Sequence, residues 1–221
     1  MFIAGMKNQY EIVYFLLNFP SVQIGPFEFK DCSRMKQLVI PSRIKKIGWH
    51  AFENCISLRR IYIPPSVTQI DFYAFYICKG FKEVQIPESI VEIERYTFYR
   101  CTGMLKLVLP KSVKKIGYSA FGYCISLIDL TIPDSVIEIG DYAFQYCYCL
   151  AEVRLPHSVA TIGWNTFDNC RGLHRVYFEN PSVQIGKRAF RECTRLEEIT
   201  LPASADIEEL KISPKAKITR I

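Results

Sequence analysis

The sequence lacks the long apolar run and the leader by which membrane-spanning and secreted chains are recognised. Its N-terminal apolar run, residues 13–17, is far shorter than the roughly 18 residues of a transmembrane helix. The first 19 residues, MFIAGMKNQYEIVYFLLNF, carry no basic n-region and no small-residue cleavage site after this run. We therefore expect no membrane span and no secretion signal, and the residues alone favour a cytoplasmic location.

Blocks of like charge are also missing. The 28 Lys and Arg residues are interspersed with 22 Asp and Glu residues, and no five consecutive residues share one sign. The net charge of +6 suits an acidic partner in general, but it is not concentrated as in a nucleic-acid-binding tail. We expect no nucleic-acid partner.

The motifs of common enzyme classes are absent. The chain has no glycine-rich phosphate loop, no G-x-S-x-G and no H-E-x-x-H. Its three histidines, His50, His157 and His174, are too scattered to form a set. We predict no catalytic residues, no cofactor and no metal site, and regard an enzyme as the least favoured class.

What the sequence does have is a strict internal period. Eight of its nine cysteines follow one another at intervals of 23 residues, at positions 32, 55, 78, 101, 124, 147, 170 and 193. Phenylalanine keeps the same interval from Phe29 to Phe190, and isoleucine keeps it from Ile24 to Ile185. A fixed period between 20 and 29 residues is typical of leucine-rich-repeat solenoids.

The full unit reads P-x-S-V-x-x-I-G-x-x-A-F-x-x-C-x-x-L-x-x-V-x-I, as in PKSVKKIGYSAFGYCISLIDLTI at residues 110–132. Over residues 20–201 this unit resembles the BspA-like leucine-rich-repeat family, the repeat type of bacterial surface antigens. The resemblance implies a non-enzymatic module for protein–protein interaction, adhesion to host matrix proteins or to other cells, and a location at the cell surface.

The repeat predicts a single-domain, curved, right-handed solenoid of short parallel strands joined by turns or short 3-10 or helical segments. The L-x-x-V-x-I segment alternates inward and outward side chains, so it should form a strand of a parallel sheet, and S-V-x-x-I can form a second strand. We divide the chain into a degenerate N-terminal half repeat or cap at 1–19, eight 23-residue repeats at 20–201, and a C-terminal cap at 202–221. Asp71 and Glu94 replace the repeat's glycine, which indicates that this position needs no positive φ angle.

The cysteine row admits four interpretations: packing, disulfides, a metal site or a nucleophile. Stacked side chains point the same way, whereas a disulfide needs a torsion near 90°. Zinc needs four converging ligands, and the only close pair is Cys147 with Cys149. Burial as reduced thiols in the core is the favoured interpretation.

The outward residues of the predicted strands are the candidate binding face, on what should be the concave side. It carries exposed tyrosines beside arginines, residue types enriched at interface hot spots. The candidates are Arg60, Tyr62, Glu83, Lys106, Asp129, Glu152, Arg154, Arg175 and Tyr177. Arg60, Glu83, Lys106, Asp129, Glu152 and Arg175 occupy one slot of successive repeats and predict a ladder of ion pairs. Asp129 and Glu152 are also the best carboxylate pair for acid–base chemistry, although the ladder is the simpler interpretation.

A second aromatic series lies near the Phe row and includes Tyr96, Tyr118 and Trp164. Either it is a packed ladder or it is a platform for a protein or a glycan. The partner we expect is a protein, with a glycan as a further possibility, and the alternative function is an intracellular scaffold or structural array, which unpaired thiols would suit.

Residues 1–19 are too apolar for a polar cap, since Lys7 and Glu11 are their only charges. We expect that residues 1–10 fold back over the end of the core, leaving a monomer, that a weak dimer forms there, or that the natural protein continues upstream of residue 1.

Overall fold

The computed structural model describes residues 21–221 and shows a solenoid of short parallel strands. Strands are numbered in chain order and fall into two columns. The short-strand column contains β1 (Gln23–Ile24), β3 (Lys46–Ile47), β5 (Gln69–Ile70), β6 (Glu92–Ile93), β8 (Lys115–Ile116), β10 (Glu138–Ile139), β12 (Thr161–Ile162) and β14 (Gln184–Ile185). The long-strand column contains β2 (Gln37–Val39), β4 (Arg60–Tyr62), β7 (Lys106–Val108), β9 (Asp129–Thr131), β11 (Glu152–Leu155), β13 (Arg175–Phe178), β15 (Glu198–Leu201) and β16 (Lys217–Arg220).

Strand pairing follows the period of the sequence. Ile116 pairs with Ile139 in the short-strand column, and Val153 pairs with Val176 in the long-strand column, each 23 residues further along the chain. Every named strand pair is parallel. The predicted solenoid of parallel strands is confirmed.

The A-F-x-x-C segments form hydrogen-bonded turns. The Phe98 N–H donates to the Ala120 carbonyl oxygen at 2.9 Å, and the Phe121 N–H donates to that of Ala143 at 2.9 Å. Each turn is thereby tied to the next one along the stack. Within residues 21–221 the only helix is α1 (Ile207–Leu210).

Two positions in every turn hold left-handed backbone without glycine. Tyr96, for example, has φ of 58° and Tyr123 has φ of 59°. One row comprises residues 27, 50, 73, 96, 119, 142, 165 and 188, and the other comprises 31, 54, 77, 100, 123, 146, 169 and 192. A positive φ is uncommon for residues with a Cβ, so the hydrogen-bonded stack has to hold these residues in place.

The core is built from stacked rows of identical side chains. The eight phenylalanines from Phe29 to Phe190 are all fully buried. Neighbouring rings lie nearly parallel, with centroids 5.4 Å apart between Phe98 and Phe121 and 5.5 Å apart between Phe121 and Phe144. The row of cysteines from Cys32 to Cys193 lies buried beside them.

The repeat's glycine allows adjacent turns to pack closely. No glycine in residues 21–221 has a positive φ, as Asp71 and Glu94 indicated. A Cβ on Gly117 would instead lie 2.8 Å from the Ile93 carbonyl oxygen in the preceding turn. The short-strand column is divided between β5 and β6, into β1-β3-β5 and β6 to β14, whereas β3 and β5 pair although Asp71 also carries a Cβ in this position.

The C-terminal residues continue the stack. Asp206 caps α1 by accepting hydrogen bonds from the Glu208 and Glu209 N–H groups, and β16 pairs with β15. The Arg188 N–H of the last regular turn donates to the Glu209 carbonyl oxygen at 2.7 Å.

The expectations for residues 1–19 lie outside the described residues. Between residues 21 and 221, no helix is both long and apolar enough to cross a membrane.

Candidate functional site

The long-strand column presents one face of the stack to solvent, and we call it the long-strand face. It consists of the outward side chains of β2, β4, β7, β9, β11, β13 and β15, together with those of residues 82–85 and those of Lys36 and Arg59, which immediately precede β2 and β4. Strand alternation sets its composition, since Ile61 is buried while Arg60 and Tyr62 on either side are exposed. All nine predicted site residues lie on this face, with Glu152 and Tyr177 half-buried.

The C-terminal half of the face is neutralised by its own ion pairs. Glu152 accepts a hydrogen bond from Arg154 Nε at 3.0 Å and lies 3.8 Å from Arg175 Nε. The Arg154 guanidinium also stacks over the Tyr177 ring, 4.6 Å from its centroid. These contacts occupy the two cations Arg154 and Arg175 and the aromatic residue Tyr177 of this half.

The structure contains part of the predicted ladder of ion pairs. Lys106 Nζ lies 3.2 Å from Asp129 Oδ2, which is one predicted rung, and Glu152 with Arg175 is another. Asp129 and Glu152 consequently belong to two different ion pairs rather than to a shared proton site.

Arg60 and Glu83 were predicted to form an ion pair, and so were Glu83 and Lys106. Both predictions are wrong. No ion pair in residues 21–221 includes Arg60 or Glu83. The physical reason is that residues 82–85 do not form a strand, and a single bridge from Tyr62 to Gln85 replaces the expected ladder. Without a shared register, the side chains of the two turns are not held opposite one another.

The N-terminal half of the face carries cations that the sequence analysis overlooked. Lys36, Arg59 and Lys82 follow one another at intervals of 23 residues, immediately before the slot of the predicted ladder. They and Arg60 are exposed, and none of the four takes part in an ion pair within the described residues. The same comparison of successive repeats, made one residue before the ladder position, would have identified these cations.

Apolar side chains flank these charges. Val39 is 68% exposed and Tyr62 is 50% exposed, and the two residues pair directly across β2 and β4. A shallow groove of about 860 Å³ lies between them and Arg59, Arg60 and Lys82. This half of the face thus combines unneutralised positive charge with exposed apolar surface.

The second aromatic series is a packed ladder along most of its length. Tyr73 and Tyr96 stack with centroids 4.6 Å apart, and Tyr96 contacts Tyr118 at 5.2 Å. Tyr118 is 41% exposed, and its partial desolvation, followed by its hydrogen bond with Tyr96, raises its pKa to about 12. Trp164 stands apart, because it is 58% exposed.

The cysteine row is buried and its thiols are free, as predicted. Each thiol from Cys55 to Cys193 also donates a hydrogen bond to a phenylalanine carbonyl oxygen 26 residues earlier, as in Cys147 to Phe121 at 3.5 Å. Burial raises the pKa of Cys124 from 9.0 to about 12. These properties oppose thiolate chemistry, which requires a lowered pKa and access.

One buried carboxylate has a fully occupied set of partners. Asp168 has no exposed surface and accepts two hydrogen bonds from Arg191, both at 2.8 Å, one from Gln145 at 2.8 Å and one from Asn169 at 3.1 Å. Gln145, Asp168 and Arg191 occupy one slot of successive turns and join the turns together. Among the described residues, no three His, Cys, Asp or Glu side chains are grouped as metal ligands.

The comparisons with known proteins agree with this architecture. The family model of the BspA type leucine-rich repeat region matches residues 22–151 and 114–213, with 6 copies. No curated protein matches the sequence.

Solved structures with a similar fold include the leucine-rich repeat protein TpLRR of T. pallidum, with 31% identity over 81% of this chain and 73% of that one, at a TM-score of 0.56. A leucine-rich cell surface protein of Faecalibacterium prausnitzii is 21% identical, at a TM-score of 0.52, with 82% of this chain and 63% of that one covered.

The pneumococcal vaccine antigen PcpA is 17% identical, at a TM-score of 0.54, with 90% of this chain and 65% of that one covered. The last two likenesses concern the fold alone. The family model covers most of the described stack, and this chain belongs to the BspA-type leucine-rich-repeat family.

Proposed function

We propose that this protein is a non-enzymatic binding module that engages a protein partner through the long-strand face. The observation that carries the proposal is the exposed pair Val39 and Tyr62, set beside Arg59 and Arg60 on a rigid parallel stack. Aromatic and arginine side chains on a preformed surface are the residues that contribute most to protein–protein affinity. Repeat stacks commonly use their extended sheet surface in this way.

The finer proposal is adhesion at the cell surface, with a host matrix protein or a protein of another cell as the partner. Its support is the role that the resemblance to BspA-type repeats implies. An intracellular scaffold is the second candidate, favoured by eight buried thiols that are unpaired and would persist in a reducing compartment. Proteolysis of intact cells separates the two, because only a surface protein is cleaved.

The binding face is tested with immobilised collagen, laminin and fibronectin and with purified protein. Tyr62→Ala should reduce binding to whichever matrix protein is recognised, since the ring is exposed and its loss should leave the core intact. Trp164→Ala is the matched control, because this aromatic residue is at least as exposed as Tyr62 but lies near the short-strand column. Loss of binding with Trp164→Ala and full binding with Tyr62→Ala would overturn the proposed face.

A further inference from the structure

Positive charge is unevenly distributed over the long-strand face. In its N-terminal half, Lys36, Arg59, Arg60 and Lys82 are exposed on three successive turns and take part in no ion pair within residues 21–221. Glu83 is exposed on the third of these turns and pairs with none of them. In the C-terminal half, by contrast, the cations Arg154 and Arg175 both contact Glu152.

Two of the unpaired cations, Lys36 and Arg59, are held close together by the backbone. The Arg59 N–H donates to the Lys36 carbonyl oxygen at 2.8 Å, so these two residues are neighbours on adjacent turns. Adjacent strands lie about 4.8 Å apart, a spacing at which like charges repel. An anionic group bound between them would relieve this repulsion, and Glu83, which lines the same groove, forms no ion pair with any of them within residues 21–221.

Apolar surface beside the cations limits the kind of anion that fits. Val39 and Tyr62 lie side by side on β2 and β4, and the groove between them and the cations is open to solvent. A sulfated glycan or a nucleic acid would use the charges but would leave this apolar pair uncovered. A peptide with both carboxylates and apolar side chains would use both.

We propose that the N-terminal half of the long-strand face binds an extended acidic segment of the partner protein, one in which Asp or Glu alternates with apolar residues. Its carboxylates contact Arg59, Arg60 and Lys82, and its apolar side chains cover Val39 and Tyr62. This inference rests on the proposed function and adds the chemistry of the recognised segment and its place on the face. Charge pairing of this kind should make binding dependent on salt concentration.

The probe is a fluorescein-labelled 12-residue peptide that alternates Glu and Asp with Leu and Tyr, and fluorescence anisotropy measures its binding. Its matched control contains Gln and Asn in place of the acids. We expect the acidic peptide to bind at least about tenfold more tightly than the amide peptide at low salt, and this ratio should shrink as salt is added.

Two variants of equal net charge locate the site. R59Q/R60Q/K82Q removes three cations from the face, and K45Q/K114Q/K215Q removes three exposed cations from elsewhere. The first should weaken binding about tenfold and the second less than about twofold. Circular dichroism and thermal melts confirm that both variants are folded. Tyr62→Ala should also weaken binding, because the peptide covers the ring.

Three results would overturn the proposal. The first is an equal loss of affinity for the acidic peptide in both triple variants, and the second is no loss of affinity in R59Q/R60Q/K82Q. The third is tighter binding of heparin than of the peptide, together with no effect of Tyr62→Ala on binding. Its failure can be told apart from failure of the proposed function. If Tyr62→Ala abolishes matrix-protein binding while R59Q/R60Q/K82Q leaves it unchanged, the face binds a protein but does not recognise acidic residues.

Discussion

The Sγ of Cys124 donates a hydrogen bond to the carbonyl oxygen of Phe98 across adjacent turns, at 3.4 Å. The same contact recurs from Cys55 to Cys193. Alanine or valine could fill part of the space but could not donate to this oxygen. The periodic cysteine is therefore explained by size and weak donor character together, without any redox or metal chemistry.

Alkaline pH should destabilise the protein through these thiols. Burial raises the pKa of Cys124 from 9.0 to about 12, so between these values the unfolded chain releases a proton that the folded chain retains. The stabilising contribution of the protonated thiols is fully present below about pH 9. Above that pH, the free energy of unfolding decreases by roughly 1.4 kcal/mol per pH unit for each such thiol. Denaturant titrations at pH 8, 9 and 10 measure this slope.

Cys124→Ala is the control for this slope, because it removes one titrating group. It should lower stability at pH 8 by about 1 to 2 kcal/mol and make the decline toward pH 10 shallower. A wild-type protein equally stable at pH 8 and pH 10 would contradict the burial of the cysteine row.

Truncation of the phenylalanine row should loosen the stack. Phe121 is fully buried between Phe98 and Phe144, and Phe121→Ala should cost about 3 to 5 kcal/mol in the free energy of unfolding. Tyr62→Ala, at an exposed position, should stay within about 1 kcal/mol of wild type. Equal melting temperatures for wild type and Phe121→Ala would be incompatible with this packing.

Replacement of the repeat's glycine with alanine should lower the free energy of unfolding most where adjacent turns are closest. A Cβ on Gly163 would lie 2.3 Å from the Asp141 backbone nitrogen, whereas a Cβ on Gly25 would, among residues 21–221, come closest to the Glu28 side chain, at 3.4 Å. Gly163→Ala should therefore lose about 1 to 3 kcal/mol and Gly25→Ala much less. Thermal melts of the two variants compare them directly, and similar losses would show that close packing is not the reason for glycine.

Removal of Arg191 should leave a buried charge without its main partner. Asp168 then keeps hydrogen bonds only from Gln145 and Asn169, so Arg191→Met should cost about 3 to 5 kcal/mol. Asp168→Asn in the same chain should recover part of this loss, because it removes the unpaired charge. A double-mutant cycle measures the coupling, and additive effects of the two changes would argue against the ion pair.

The sequence predicted the parts of this structure that repeat. The positions of Phe121 and Cys124 recur at one interval in every turn, and one interval is sufficient to specify a stack. The left-handed residues also repeat, but Tyr96 and Ile77 are not residues that favour positive φ, so their identities carried no signal.

Features that occur once were harder to predict. The pairing of Arg60 with Glu83 was inferred from a ladder that assumes a continuous sheet, and the sheet is interrupted at residues 82–85. The contact between Asp168 and Arg191 involves a slot whose residue type varies along the stack, so the repeat pattern does not indicate it. Lys36, Arg59 and Lys82 could have been found, since their spacing is regular.

Hydrogen–deuterium exchange of the protein with and without a bound partner tests most directly whether the long-strand face is the binding surface. With a bound partner protein, we predict new protection of backbone amides in β2 and β4 and in residues 82–85, and unchanged exchange in β10 and β12. Protection confined to β10 and β12, with β2 and β4 unaffected, would contradict it.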